Sequence, residues 1–155
     1  MAIKLVFKLL MLACLTLSPL ALVTYLDYQK DHFSCQASVD ITKNDYSLES
    51  IMSFHFDGGK GLLSSKGILK RGGSEITRIN KKLAFNYWKE DKTMIFISTN
   101  DYDNDANIEL LNSLAPDFFL YSDRGISIEL KRLNESSYLF TQSGTPLFTC
   151  VITAI

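Results

Sequence analysis

The chain has 155 residues, with 16 basic and 17 acidic side chains and a formal net charge of −1. This balance leaves no large field of one sign, which disfavours binding to nucleic acid. After an N-terminal apolar segment, the length leaves room for one domain of roughly 100–130 residues. Ten Phe and seven Tyr supply enough apolar surface for that domain to fold.

The N-terminal apolar run, residues 9–26, carries no charged side chain. It is about as long as a helix that crosses a bilayer. Lys4 and Lys8 precede the run, and the charges that follow it largely cancel. The positive-inside rule therefore places the N-terminus in the cytoplasm.

This reading predicts a membrane protein with one span and four segments. Residues 1–8 are cytoplasmic, 9–26 form the transmembrane helix, 27–32 are a juxtamembrane linker, and 33–155 form a β domain outside the cytoplasm. We therefore expect a single-pass membrane protein.

Three alternatives remain for the apolar run. A cleaved secretory signal needs small residues soon after its core, whereas DYQKDHF follows here. A lipoprotein signal would end at Cys14, which Ala13 precedes, but the apolar run continues well beyond that cysteine. The third alternative is a buried core helix. In so small a domain such a helix is rarely apolar on every face, as this run is.

Beyond the apolar run, the pattern is one of strands and turns. Period-two alternation over residues 43–57 predicts a half-buried strand. The glycine-rich turn 57–61 and the return strand 62–71 complete a hairpin. Further strands are predicted at residues 76–77 with 83–88, 93–98, 118–121, 126–133, 138–142 and 147–153.

One short helix is predicted where Ile108, Leu110, Leu111 and Leu114 recur at helical spacing before Pro116. The other elements amount to about eight short antiparallel strands, which must bury one face. We therefore expect a mainly β fold, an antiparallel barrel or half-barrel with one short helix packed on it.

The cysteines suggest one disulfide. Cys14 lies in the predicted span, which leaves Cys35 and Cys150 in the outer domain. In an oxidising compartment such a pair predicts a bridge, and closing so long a loop is worth about 4–5 kcal/mol. The alternative is two unpaired thiols that behave as small buried hydrophobes.

The sequence offers little for catalysis. The two histidines, His32 and His55, have no evident partner, and no clustered ligands predict a metal. The stretch 101–105, DYDND, lacks the glycine and glutamate of a calcium loop, so a solvated loop is favoured. GGKG at 58–61 lacks Walker spacing and is interpreted as a turn. We expect no catalytic residues, no metal and no cofactor.

An aromatic face offers a candidate ligand site. Five rings fall on inward positions of predicted strands: Phe54, Phe56, Phe85, Tyr87 and Phe96. They line a cavity for a small apolar ligand or form an ordinary β core, and both interpretations stay open.

The last strand, 147–155, is uncharged and runs to the chain terminus. Such a strand is either central in its sheet or an edge available to a partner. In the second case the exposed contacts are Phe148, Val151 and Ile152.

Over its whole length the chain resembles the FidL-like family of small enterobacterial inner-membrane proteins. The resemblance lies in the basic N-terminus with one span, in Cys35 soon after it, and in the strand TPLFTC at 145–150. It implies a companion of membrane-bound transcription regulators similar to ToxR. In related systems the small partner forms a lipocalin-like barrel, completed with the regulator's periplasmic domain, that binds bile salts or similar apolar ligands.

The resemblance implies that the membrane is a bacterial inner membrane and that the β domain, residues 33–155, is periplasmic. The resemblance and the residues together predict a periplasmic accessory or co-sensor subunit. It would form a hetero-oligomer with a ToxR-like regulator and share an apolar ligand cavity with it. A stand-alone lipocalin-like carrier is the first rival, and an envelope enzyme is the second.

Overall fold

The computed structural model describes residues 2–101 and 108–153. The chain divides into two compact units, Met1–His32 and Phe33–Ile155. The first contains helix α1, Ala2–Asp31. The second contains the strands β1 His32–Lys43, β2 Tyr46–Asp57, β3 Lys60–Arg71, β4 Ser74–Glu90, β5 Thr93–Asp101, β6 Gly125–Asn134, β7 Ser137–Gln142 and β8 Thr145–Ile152. A one-turn helix α2, Ile108–Leu111, and a 3-10 turn, Asp117–Phe119, lie between β5 and β6.

Helix α1 exposes its described apolar side chains, among them Leu12, Leu15 and Leu20. Within the part of the chain that the structure describes, no helix is both long enough and apolar enough to cross a membrane. The predicted span begins with residues 9 and 10, whose side chains lie outside the described set. The transmembrane helix is therefore not confirmed and stays a prediction.

The second unit is a closed antiparallel barrel in which β1 to β8 follow chain order. The predicted mainly β fold with a short helix is thus confirmed, and the barrel closes without another chain. β2, β3 and β4 pair along long registers, whereas β5 and β6 pair only from Met94↔Ile128 to Ile97↔Gly125. The barrel wall is therefore taller on its β2–β4 side.

The hairpin of β2 and β3 forms as predicted. Asp57 pairs with Lys60, which leaves Gly58 and Gly59 as a two-residue turn with φ values of 53° and 91°. A turn with positive φ at both central positions matches the twist of the flanking strands, and glycine adopts it without a steric penalty. GGKG therefore comprises the two turn residues, Gly58 and Gly59, and the first two residues of β3.

Strand β1 is an element that the predicted strands omit, and Lys43 ends this strand instead of beginning the next one. The reversal falls at Asn44, with φ 55°, and Asp45. The missed signal is an alternation of inward residues, several of them small: Phe33, Cys35, Ala37, Val39 and Ile41.

Residues 118–121 are not a strand. Phe119 N donates to Pro116 O, and Leu120 N donates to Asp117 O, so the chain turns helically here. This geometry buries Phe118, Phe119 and Leu120 consecutively, whereas a strand would bury alternate residues. The helix α2 is also shorter than predicted, because Leu114 lies beyond its end.

The disulfide prediction is confirmed. Cys35 on β1 and Cys150 on β8 are bridged, with their Cα atoms 5.4 Å apart. Next to the bridge, β1 and β8 pair at Cys35↔Ile152 and Gln36↔Val151. The bond therefore joins the strands that close the barrel.

The interpretation of β8 as an open edge is wrong. Val151 pairs with Ser137 on β7 and with Gln36 on β1, and Ile152 pairs with Cys35. Phe148 stacks on Phe140 inside the barrel, with ring centroids 4.8 Å apart. Closure of the barrel satisfies this strand on both sides, so a partner that pairs with its backbone at Val151 or Ile152 has no free groups to use.

The interior holds two clusters of different composition. The larger one, which we call the aromatic cluster, includes Phe54, Phe56, Phe85, Phe96 and Phe140 together with the disulfide. The smaller one, the aliphatic cluster, lies at one end of β2–β4 and consists of Leu48, Leu69, Ile79, Leu111, Leu114 and Leu120. Half of the aliphatic cluster comes from the segment 108–121, which we call the cap.

Candidate functional site

The five aromatic residues, for which a cavity lining and an ordinary core were both open, pack against one another. All are buried, and the Phe85 and Phe96 centroids lie 5.1 Å apart, with Phe56 and Tyr87 at 5.3 Å. Contacts at these spacings leave no room for a ligand among the rings. The ordinary-core interpretation of Phe54, Phe56, Phe85, Tyr87 and Phe96 therefore matches the packing.

A cavity does exist, but it lies between the aromatic cluster, the aliphatic cluster and the cap. Its internal volume is about 30 Å³, which is room for about two water molecules. The lining is almost entirely apolar, with two polar exceptions, Ser65 and Lys81. The apolar lining residues are Leu48, Met52, Leu63, Ile79, Leu83, Leu111, Ala115, Phe119 and Leu120.

The two polar residues lie side by side on the barrel wall. Ser65 on β3 pairs directly with Lys81 on β4, and with Met52 on β2 from the other side. Directly paired residues of antiparallel strands have their Cβ atoms about 4.5–5.5 Å apart. The Ser65 hydroxyl also forms a hydrogen bond with the Ser50 hydroxyl at 2.8 Å. These residues form a compact polar row within an apolar cavity.

Lys81 is the unusual member of this row, because its side chain is only 5% exposed. Its Nζ donates a hydrogen bond to the carbonyl oxygen of Leu120 in the cap at 2.8 Å. Burial of an ammonium group is costly unless polar groups compensate for the lost water. The contact with Leu120 therefore supports both the lysine and the position of the cap.

Side chains from three strands hold the cap over the cavity. Besides Lys81, Lys43 Nζ donates to Ser113 O at 2.9 Å, and Ser98 Oγ donates to Tyr121 O at 2.7 Å. The cap has little regular structure of its own, since α2 is a single turn. These contacts, its buried leucines and the buried rings of Phe118 and Phe119 are its main attachments.

The sequence contained a signal for this site. Inward positions of β4 are Ile79, Lys81, Leu83 and Phe85, so a lysine interrupts a series of apolar residues at period two. An inward lysine is rare unless it has a structural or functional partner. The polar neighbour Ser65 was harder to find, because only the strand register places it opposite Lys81.

The histidines have simple surroundings. His55 Nδ1 lies 2.7 Å from Ser34 Oγ on an exposed face, and His32 Nδ1 lies 2.8 Å from Tyr28 O. Among the described residues, no group of three His, Cys, Asp or Glu side chains is placed to hold a metal. Of the acidic stretch 101–105, residues 102–105 lie outside the described residues.

Two features lie on the outer surface of the barrel. An open groove of about 730 Å³ crosses β1–β4 and mixes charges of both signs, including Asp40, Glu49, Lys66 and Arg78. Further along β4, Trp88 is 46% exposed, and Ile97 on β5 is 36% exposed. Trp88 pairs with Ile95, which is also on the outer side. We call Trp88, Ile95 and Ile97 the Trp88 face.

Comparison with known proteins supplies a family. The family model of the YqeJ C-terminal domain matches residues 32–150. The chain belongs to the YqeJ C-terminal domain family. The matched region runs from the first residue of β1 to Cys150, and so it includes both bridged cysteines. None of the curated proteins compared with the chain matches it. The resemblance to FidL-like proteins is not confirmed by this family match.

Proposed function

We propose that this chain is an extracytoplasmic accessory subunit of a membrane-bound transcription regulator similar to ToxR. In this proposal α1 tethers the barrel to the bacterial inner membrane, and the Trp88 face binds the periplasmic domain of the regulator. The barrel also binds a small apolar ligand under the cap, and the cap must move to admit it, because the cavity as it stands has a volume of about 30 Å³. Its work is binding, without catalysis of its own.

The disulfide supports a location outside the cytoplasm. Bridges between distant cysteines persist in oxidising compartments and are rare where thiols are kept reduced. The exposed leucines of α1, Leu12, Leu15 and Leu20 among them, support a tether in lipid. Both observations agree with an N-terminus in the cytoplasm and a barrel in the periplasm.

The observation that carries the partner role is the Trp88 face. Trp88 pairs directly with Ile95, and Ile97 lies next along the same outer side of β5. An exposed tryptophan among aliphatic side chains is the composition of an interaction site. Since the barrel is closed, the regulator would dock on this face and would not complete the barrel with a strand.

A stand-alone carrier of small apolar molecules is the second candidate function. The observation that favours it is that barrel, cap and cavity all come from one chain. A carrier would bind its ligand without a protein partner. The two functions therefore differ in whether a regulator is captured.

The test is capture of the regulator from membranes by the tagged full-length chain in mild detergent. We expect enrichment of a single-pass protein with a cytoplasmic winged-helix domain. Because truncation of a central interface tryptophan costs at least about 2 kcal/mol, Trp88→Ala should reduce capture about 30-fold. Leu133→Ala is the matched control, since Leu133 is 55% exposed near the end of β6, beyond the residues of that strand that pair with β5.

Two results would overturn the partner role. One is that the wild-type chain captures no such regulator. The other is that Trp88→Ala and Leu133→Ala capture the regulator equally well, which would remove the Trp88 face from the interface. Ligand binding without any capture would favour the carrier.

A further inference from the structure

The open groove on the outer side of β1–β4 separates its charges by sign. Its two acidic residues, Asp40 and Glu49, lie on the neighbouring strands β1 and β2, and its two basic residues, Lys66 and Arg78, lie on β3 and β4. Opposite charges paired across adjacent strands stabilise a sheet, whereas like charges directly opposite each other destabilise it. The groove therefore has an acidic side and a basic side that do not neutralise each other by direct pairing.

Two of these charges have partners beyond the lining of the groove. Glu49 forms a salt bridge with Lys70, and Arg78 forms one with Glu75. Within the part of the chain that the structure describes, no hydrogen bond or ion pair engages the other two, Asp40 and Lys66, and both are exposed. Their carboxylate and ammonium groups are therefore the charges open to a ligand.

Two isoleucines lie between the acidic side and the basic side. Ile51 on β2 pairs directly with Lys66, and Ile68 on β3 pairs directly with Glu49. Ile51 is 50% exposed, so the middle of the groove offers apolar surface. Only β2 lies between β1 and β3, and Asp40 is thus two strand spacings across the sheet from Lys66, which is about 9–10 Å.

The margins of the groove add uncharged polar groups. Ser38 on β1 and Asn80 on β4 line the same groove, and both are exposed. A hydroxyl and a side-chain amide can each donate and accept a hydrogen bond. They can therefore bind the N–H and C=O groups of a peptide, which a hydrocarbon linker between two charges would lack.

We propose that this groove binds a short zwitterionic peptide of about three residues with an apolar central side chain. An extended chain of three residues spans about 10 Å, which matches the spacing of the two open charges. The N-terminal ammonium would lie at Asp40, the C-terminal carboxylate at Lys66, and the central side chain on Ile51 and Ile68. The groove is separate from the cavity and from the Trp88 face, so this inference does not rest on the proposed function.

The test uses four forms of the peptide Ala-Leu-Ala on the full-length chain in lipid nanodiscs. The free peptide has both charges, the N-acetyl form lacks the ammonium, the C-terminal amide lacks the carboxylate, and the doubly blocked form lacks both. Binding is followed by NMR of isoleucine methyl groups, with Ile51 and Ile68 as reporters and the buried Ile128 as the internal reference.

The expected affinity is low, because each exposed ion pair contributes little. We expect a dissociation constant on the order of 1 mM for the free peptide, and a loss of about 2–5-fold for each end that is blocked. The Ile51 and Ile68 signals should shift, and the Ile128 signal should not.

Two variants assign each charge to one end of the peptide. Asp40→Asn should remove the advantage of the free N-terminus over the acetylated one and keep the advantage of the free carboxylate. Lys66→Met should do the reverse. Asp91→Asn and Lys92→Met are the matched controls, since both residues are exposed in the turn between β4 and β5 and neither lines the groove. They should leave all four affinities unchanged.

Three results would overturn the peptide site. One is that the free peptide shifts neither Ile51 nor Ile68 at concentrations up to about 10 mM, tenfold above the expected dissociation constant. Another is that all four forms bind equally, because the charges then recognise nothing. The third is that the two signals change on dilution of the chain without peptide, which would make the groove an interface between copies. Capture of the regulator tests the proposed function separately in every case.

Discussion

The two clusters of the barrel are built on different principles. The aromatic cluster contains the disulfide and packs ring against ring, with Phe96 and Phe140 fully buried, and the cap contributes Phe118 and Phe119 to it. The aliphatic cluster is walled by the long strands β2–β4 on one side and by the cap on the other. Between the two lies the cavity with Ser65 and Lys81.

The two clusters differ in what holds them, and we expect the first to contribute mainly to stability and the cap to contribute to ligand binding. Strand pairing and a covalent bond hold the strand residues of the aromatic cluster, so we expect them to open only when the barrel unfolds. Short helical turns, side-chain hydrogen bonds and the buried rings of Phe118 and Phe119 hold the cap, so we expect it to open at a lower free-energy cost than the paired strands. A ligand site needs such a movable part next to a rigid one.

Loss of the disulfide is expected to have one of the two largest effects. Replacing both Cys35 and Cys150 with Ser should lower the free energy of unfolding by about 2–5 kcal/mol, because the bridge closes a loop with a sequence separation of 115. Denaturant unfolding of the full chain measures it. Cys14→Ser is the control and should change nothing, since Cys14 is free and exposed. A loss below about 1 kcal/mol in the double variant would contradict the account.

A pair of truncations compares the clusters directly. Phe96→Ala should cost about 3–5 kcal/mol, because the ring contacts Phe56, Phe85, Tyr87 and Phe118. Leu120→Ala should cost about 2–3 kcal/mol, since the cap can collapse into the space that it leaves. The same unfolding measurement gives both values. Equal costs would mean that the cap is packed as rigidly as the aromatic cluster.

Alanine substitutions at two glycines of β3 test how tightly the neighbouring residues pack against this strand. A Cβ on Gly61 would lie 2.1 Å from the Phe85 ring, and a Cβ on Gly67 would lie 2.6 Å from Glu49 O. Alanine at either position should therefore cost about 1–3 kcal/mol by overpacking. Gly125→Ala is the control, because its nearest atom would be 3.7 Å away. A Gly61→Ala variant as stable as the wild type would show that the Phe85 ring moves freely.

Much of the fold was predictable because alternation and turn chemistry are local. The hairpin at Gly58 and Gly59 and the long inward series of β2 and β4 are visible in the sequence. The bridge followed from a count of cysteines. The predicted number of strands equals the observed number partly because two errors cancel. Strand β1 was not predicted, and residues 118–121 were predicted as a strand that the structure does not contain.

The candidate site was less predictable because it depends on contacts between distant segments. Lys81 is recognisable as an inward lysine, but only the fold brings Leu120 O to it, and only the register brings Ser65 beside it. The aromatic residues were candidates for a cavity lining because they fall on inward positions of the predicted strands. In the structure they fill the core, and the cavity lies next to them.

Native-state hydrogen exchange of the full chain tests most directly whether the cap moves independently of the barrel. The cap amides to follow are Leu114 and Ala115, which donate to Leu111 O, and Leu120, which donates to Asp117 O. We expect them to exchange through local opening at least about 2 kcal/mol below the free energy of global unfolding, with Tyr87 N of β4 exchanging only on global unfolding. Exchange of the cap amides and Tyr87 in one global event would contradict the account.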